Sequence, residues 1–197
     1  MGKIFCLMGK SSSGKDTIYK RLLADTELGL RRIVPYTTRP IREGEVEGVE
    51  YHFVDEEELA RLQAAGLVVE LRAYNTVHGV WKYFTVCDGE LDTERFSYAL
   101  IGTLESWHAM KEYFGAERMA AIYVEVDDGE RLSRALARER SQATPHYAEM
   151  CRRFLADLED FSEEKLQREG IIARFRNETL EQCLGEIKLF IQKCLAV

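Results

Sequence analysis

Ile4-Phe5-Cys6-Leu7-Met8-Gly9-Lys10-Ser11-Ser12-Ser13-Gly14-Lys15-Asp16-Thr17 is the stretch that decides the fold. Five apolar residues in a row, stopped by a glycine, read as a short strand buried on both faces. Gly9 and Gly14 let the next segment fold around an anion and aim several backbone N–H groups at it. Lys15 adds a point charge for the outer phosphates of a nucleotide. Ile18, Leu22 and Leu23 then fall at helical spacing, so strand, glycine loop and helix follow in the order a phosphate-binding loop requires. The pattern G-x-x-x-x-G-K is complete, but Asp16 stands where Ser or Thr normally meets Mg2+.

The rest of the chain bounds the class. Its 197 residues suit one domain with a full core. A net charge of −7 argues against a broad nucleic-acid footprint, while 27 Lys and Arg leave cations for local phosphate contacts. Five widely spaced cysteines without a C-x-x-C suggest neither a disulfide framework nor a zinc site. A reducing cytoplasm is the expected compartment. No apolar run has the length of a membrane span or a leader, so no membrane partner is expected.

Working outward from the loop, a helix is expected over 15–28, stopped by Gly29, with a second strand at 30–34. Residues 35–49 carry two prolines and two arginines without hydrophobic periodicity and read as a functional loop. A strand over 50–54 follows, then a helix opened by a capping box at Asp55 and Glu58 and closed at Gly66. Strands over 67–74 and 82–87 are expected to flank a polar hinge at Asn75, Thr76 and Gly79. Core strands at 98–101 and 119–126 bracket a helix over 104–114. A helix over 129–139 carries Arg131, Arg134 and Arg138, and Arg140 follows it. One long helix is expected over 147–168, a last strand over 171–175, and a final helix with Leu180, Leu184, Ile187, Ile191 and Cys194 on its core face.

Tyr36-Thr37-Thr38-Arg39-Pro40-Ile41-Arg42-Glu43-Gly44-Glu45, continued by Gly48, Tyr51, Phe53 and Val54, resembles the T-T-R-x-x-R-x-G-E-x-x-G-x-x-Y-x-F-V run of the guanylate kinases. The resemblance implies an α/β P-loop NTPase fold of three layers. A central parallel sheet is expected, with a core at 1–34, 97–135 and 171–197, a small antiparallel acceptor-binding subdomain at 35–92 and a lid at about 136–150. It also implies transfer of the gamma-phosphoryl group of ATP to GMP with Mg2+. By resemblance, Arg39, Arg42 and Tyr51 clamp the GMP phosphate, Glu70 reads guanine through its two acceptor oxygens, and His78 belongs to the same site. Arg134, Arg138 and Arg153 match arginines that close over the transferring group, with Arg140 and Arg152 as rivals in register. Asn177 matches a residue bordering the adenine. Gly9, Lys10, Ser11, Ser12, Ser13, Gly14, Lys15, Asp16 and Thr17 hold ATP, with Asp16 and Thr17 on the metal side. Expected partners are ATP and GMP, without nucleic acid or membrane, and a homodimer is left open.

The departures from that family are specific. Pro35 replaces a serine, Val80 replaces a Ser or Thr that helps recognise guanine, and His78-Gly79 replaces Tyr-Gly. Gly102 and Leu104 stand where aspartates are expected, which leaves Asp16 or Glu105 to compensate. Two other functions fit this pattern: a kinase for another nucleoside or deoxynucleoside monophosphate, and a non-catalytic module that binds a nucleotide or a protein. The intact Gly9, Gly14 and Lys15 weigh against the module.

Overall fold

The structure, a computed structural model, describes residues 1–42, 44–76, 79–89 and 91–196. Strand β1, Ile4–Met8, has no solvent exposure at any of its five residues. Period-two alternation sends Ile4, Cys6 and Met8 into one core and Phe5 and Leu7 into another. Helix α1, Lys15–Ala24, buries Ile18 and Leu22 on the second face. It ends four residues before the expected position because Asp25 turns extended, its carboxylate accepting from the Glu27 N–H and pairing with Lys188. Strand β2 is only Arg31–Arg32.

Four further strands and one helix follow: β3 (Tyr36–Thr37), β4 (His52–Phe53), α2 (Glu56–Ala64), β5 (Val68–Thr76) and β6 (Gly79–Val86). The Asp55 carboxylate caps α2 by accepting the Glu58 N–H at 2.8 Å, as the sequence predicts. Leu59 and Leu62 of α2 cover Phe84 and Val86 of β6, forming a third, smaller core. The sheet order is β4-β3-β6-β5. It is mixed, not purely antiparallel: β3 and β4 run parallel because the fourteen-residue segment between them returns the chain to the same end. Asn75, Thr76 and Gly79 lie inside the paired strands, so the expected hinge residues are ladder residues; 77–78 lie outside the described residues.

The chain then returns to the first sheet through β7 (Tyr98–Ile101), α3 (Leu104–Phe114), β8 (Met119–Glu125) and α4 (Asp128–Arg140). Helices α5 (Tyr147–Asp160) and α6 (Glu163–Arg168) lead to β9 (Arg174–Arg176) and α7 (Leu180–Leu195). The expected helix over 147–168 is therefore two helices. Phe161 turns inward, 7 % exposed, to pack on Tyr123 at 5.6 Å, and extended Ser162 starts the next helix before Glu163 and Glu164. The last strand starts three residues later than expected.

The five-stranded sheet has the order β2-β7-β1-β8-β9 and every pair in it is parallel. β1 is central and the order reverses around it. Ligand crevices form outside the carboxyl ends of strands at such a point. The glycine loop leaves β1 there, and β5 of the second sheet packs against α3, the helix that follows β7.

Candidate functional site

Gly14, at φ 87°, is the residue before α1, and a Cβ there would sit 2.4 Å from the Asn177 amide nitrogen. That amide donates to the Ser13 carbonyl at 2.8 Å, so the segment after β9 holds the loop from behind. Ser12 takes φ 63°, a left-handed conformation that costs a non-glycine residue roughly 1–3 kcal/mol and marks functional loops. The hydroxyls of Ser12 and Ser13 are buried and lack a hydrogen-bond partner among the described residues. Buried polar atoms are normally satisfied. Two unsatisfied hydroxyls inside a strained loop fit a site made for an anion.

Lys15 completes that site. Burial lowers the pKa of its ammonium group, Asp16 and Asp157 act to raise it, and Arg153 and Arg138 lower it further. The charges of both arginines thus reach the loop lysine. Arg138 of α4 and Arg153 of α5 also line one small cavity of about 30 Å3 with Ser11. Among the described residues neither arginine makes an ion pair. Their rival Arg152 is turned away, 66 % exposed and paired with Glu149.

A buried network fixes these helices against the loop. The Arg131 side chain, 1 % exposed, donates to the Ser11 carbonyl at 3.0 Å and to Asp128 at 2.8 Å. The Asp157 carboxylate accepts the Ser11 N–H at 2.7 Å and an Arg131 N–H at 3.3 Å. Both polar groups of the Ser11 backbone are held from outside the loop. Sequence reasoning counted Arg131 only as part of a basic helix and did not single out Asp157. The one local signal was Asp157 lying one turn after Arg153, which puts both on one face of α5.

Beside Lys10 a cleft of about 720 Å3 opens, lined by Tyr123, Asp127, Asp128, Arg134, Arg176 and Asn177 among others. Arg134 pairs with Glu130 at 2.8 Å and reaches the Asn177 carbonyl at 3.4 Å. Arg134 therefore borders this cleft and is absent from the lining of the Ser11 cavity that holds Arg138 and Arg153. Asp16 and Thr17 are both exposed in the first turn of α1. A carboxylate and a hydroxyl are hard oxygen donors of the kind Mg2+ takes, so the donor set fits the ion.

On the second sheet most of the cations are already paired, Arg42 being the exception among the described residues. Arg39 is 3 % exposed and its guanidinium is gripped by both oxygens of Glu45, one contact measuring 2.7 Å. That pairing holds the Glu45 carboxyl below its ordinary pKa. The Arg39 guanidinium lies 5.0 Å from the Tyr51 ring and 5.3 Å from the Phe53 ring, so Arg39 and Tyr51 do meet. Arg42 is exposed, 5.8 Å from the Trp81 ring, and among the described residues it has no ion pair. His78 lies outside the described residues.

Glu70 lies in β5 opposite Thr85 of β6, and Arg72 follows on the same face. Only 4 % of the Glu70 side chain is exposed. It accepts from Arg72 at 2.9 and 3.2 Å and from the Thr85 hydroxyl at 2.8 Å. Arg72 and Thr85 were missed in the sequence, although Glu70-Leu71-Arg72 alternation already sets two opposite charges on one strand face. Across the junction between the sheets, Gly102 closes the end of β7. A Cβ there would lie 2.7 Å from both the Cys6 thiol and the Ser106 hydroxyl, so the missing acid has no room.

Residues 1–80 match the family model described as guanylate kinase. The guanylate kinase of Neisseria meningitidis serogroup A is 46 % identical over 88 residues, which cover 45 % of this chain and 40 % of that protein. That of Symbiobacterium thermophilum is 46 % identical over 79 residues, 40 % of this chain and 37 % of that protein. The chain thus matches about two-fifths of the length of these curated relatives. The solved guanylate kinase of Anaplasma phagocytophilum superimposes on 98 % of this chain and 85 % of its own with a TM-score of 0.67 at 21 % identity, which establishes the fold for the rest. The resemblance read from the sequence is therefore present at sequence level in the first 80 residues and at fold level throughout.

Proposed function

We propose that this chain, guanylate-kinase-like in the sequence of its first 80 residues and in its whole fold, transfers the gamma-phosphoryl group of ATP to GMP. The observation that carries the proposal is the convergence of Lys15, Arg138 and Arg153 on the Ser11 end of a loop with two unsatisfied hydroxyls. Phosphoryl transfer asks a protein mainly for alignment and for positive charge around the moving group. The hydroxyls of Ser12 and Ser13 and those loop N–H groups not engaged as the Ser11 and Ser13 ones are, by Asp157 and the Lys10 carbonyl, take the ATP phosphates, and the cleft beside Lys10 takes the nucleoside, bordered by Arg134 and Asn177.

Residues 35–92 form the acceptor-binding part, where Arg42, Arg39 and Tyr51 take the acceptor phosphate, and the segment at about 136–150 acts as the lid. Asp16 and Thr17 would hold Mg2+, which supplies charge neutralisation at the outer phosphates. Lys15, Arg138 and Arg153 offset charge on the transferring group, with Arg42 on the acceptor side. No covalent intermediate is required. The test is ADP formation from ATP and Mg2+ with GMP, dGMP, AMP, CMP and UMP in turn. GMP and dGMP are expected to give the fastest turnover; a folded, ATP-binding sample that no monophosphate stimulates overturns the proposal.

A further inference from the structure

Recognition of guanine as distinct from other 6-oxopurines needs an acceptor for its 2-amino group. The residue that resemblance assigns to this task, Glu70, is not available for it. Both its oxygens accept from Arg72, one also accepts from Thr85, and the side chain is 4 % exposed. No second carboxylate replaces it at the end of β7, because Cys6 and Ser106 fill the space a side chain on Gly102 would need. Val80, 51 % exposed, offers the base neither donor nor acceptor.

What the wall presents instead is a donor. Arg72 lies outside Glu70, its side chain 13 % exposed against 4 %, and gives Glu70 its Nε and one terminal N–H. A guanidinium has five N–H groups, more than these contacts use, and its fork matches the O6 and N7 acceptors of a 6-oxopurine.

We propose that Arg72 is a specificity-determining residue: it reads the acceptor as a 6-oxopurine and, by occupying Glu70, leaves the 2-amino group unread. The inference rests on the nucleoside monophosphate kinase reading above. Hypoxanthine and guanine nucleotides then differ by a group the site ignores. A 6-amino purine, which meets the guanidinium with a donor, is rejected.

The experiment compares kcat/KM for GMP, IMP and AMP with the wild-type chain, ATP and Mg2+. The expected result is GMP and IMP within about fivefold of each other, each above AMP; sites that do pair a substrate N–H discriminate by far more. A preference for GMP over IMP beyond fivefold overturns the inference while leaving the kinase intact. Stimulation by neither nucleotide overturns the kinase reading and this inference with it. Arg72→Gln sharpens the assignment, because freeing Glu70 is expected to raise the GMP-to-IMP ratio about tenfold. An unchanged ratio in a folded Arg72→Gln protein removes Arg72 from the role. The wild-type comparison decides the matter where that variant does not fold.

Discussion

The two sides of the site handle charge in opposite ways. Around the glycine loop, Lys15, Arg138 and Arg153 have no ion pair and two hydroxyls no partner among the described residues. On the second sheet Arg39 is gripped by Glu45, Arg72 by Glu70 and Lys82 by Glu56. The first arrangement stores unsatisfied potential that an anion relieves at once. In the second, a phosphate that reaches Arg39 must displace a carboxylate, so that part of its affinity is the difference between two similar interactions, and only Arg42 has no ion pair among the described residues. On the proposed function, the donor side is ready for its ligand, while the acceptor side exchanges partners at Arg39.

This contrast is breakable, most severely at Lys15. Lys15→Met is expected to lower kcat by about 10^3-fold, the scale of removing one preorganised charge from a transition state. A loss below tenfold, measured at saturating nucleotides, would show that the loop does not depend on its lysine.

A second measurement uses the direction of the Lys15 shift. Burial lowers its pKa, so its charge is lost at a lower pH than in an ordinary lysine. ATP binding draws on the charged form, so affinity should weaken as pH rises through that lowered value, by up to about tenfold per unit. Lys15→Arg should flatten the profile because guanidinium stays charged. Matching profiles for the two proteins, by isothermal titration, would count against a loop kept poised by its lysine.

The smallest effect is expected where an ion pair is exchanged. Glu45→Gln releases Arg39 and should lower the acceptor KM about threefold while costing roughly 1–3 kcal/mol of stability, as a weakened buried contact does. Acceptor should then raise the melting temperature of the variant more than that of the wild type. A raised KM would mean that Glu45 orients Arg39 and does not compete for it.

The features legible in the sequence are those written in short range. β1, the glycine loop, α1 and the Asp55 cap each follow from neighbouring residues, and the tract beginning at Tyr36 was specific enough to suggest the family. The unread features depend on distant partners. Phe161 breaks a helix to reach Tyr123, and Asp157 meets the backbone of Ser11. The parallel pairing of β3 with β4 is likewise a consequence of how an irregular segment folds back. Glu70 was found but its partners Arg72 and Thr85 were not, because a motif reports a residue's presence and not whether its oxygens are already engaged.

Gly102 carries one more consequence, for how this site could change over generations. Installing an acid at its position in a single step drives a Cβ into Cys6 of the central strand and into the hydroxyl of Ser106, which accepts the Thr103 N–H at the start of α3. Trimming Cys6 opens only one side of the space, at the cost of a packed core atom, and leaves the Ser106 hydroxyl equally close. The acid is therefore epistatic with both neighbours and becomes tolerable only after each has given way. A lineage bearing Gly102 between Cys6 and Ser106 stands across a valley from one with an acid at that position, and point mutation by itself crosses it poorly.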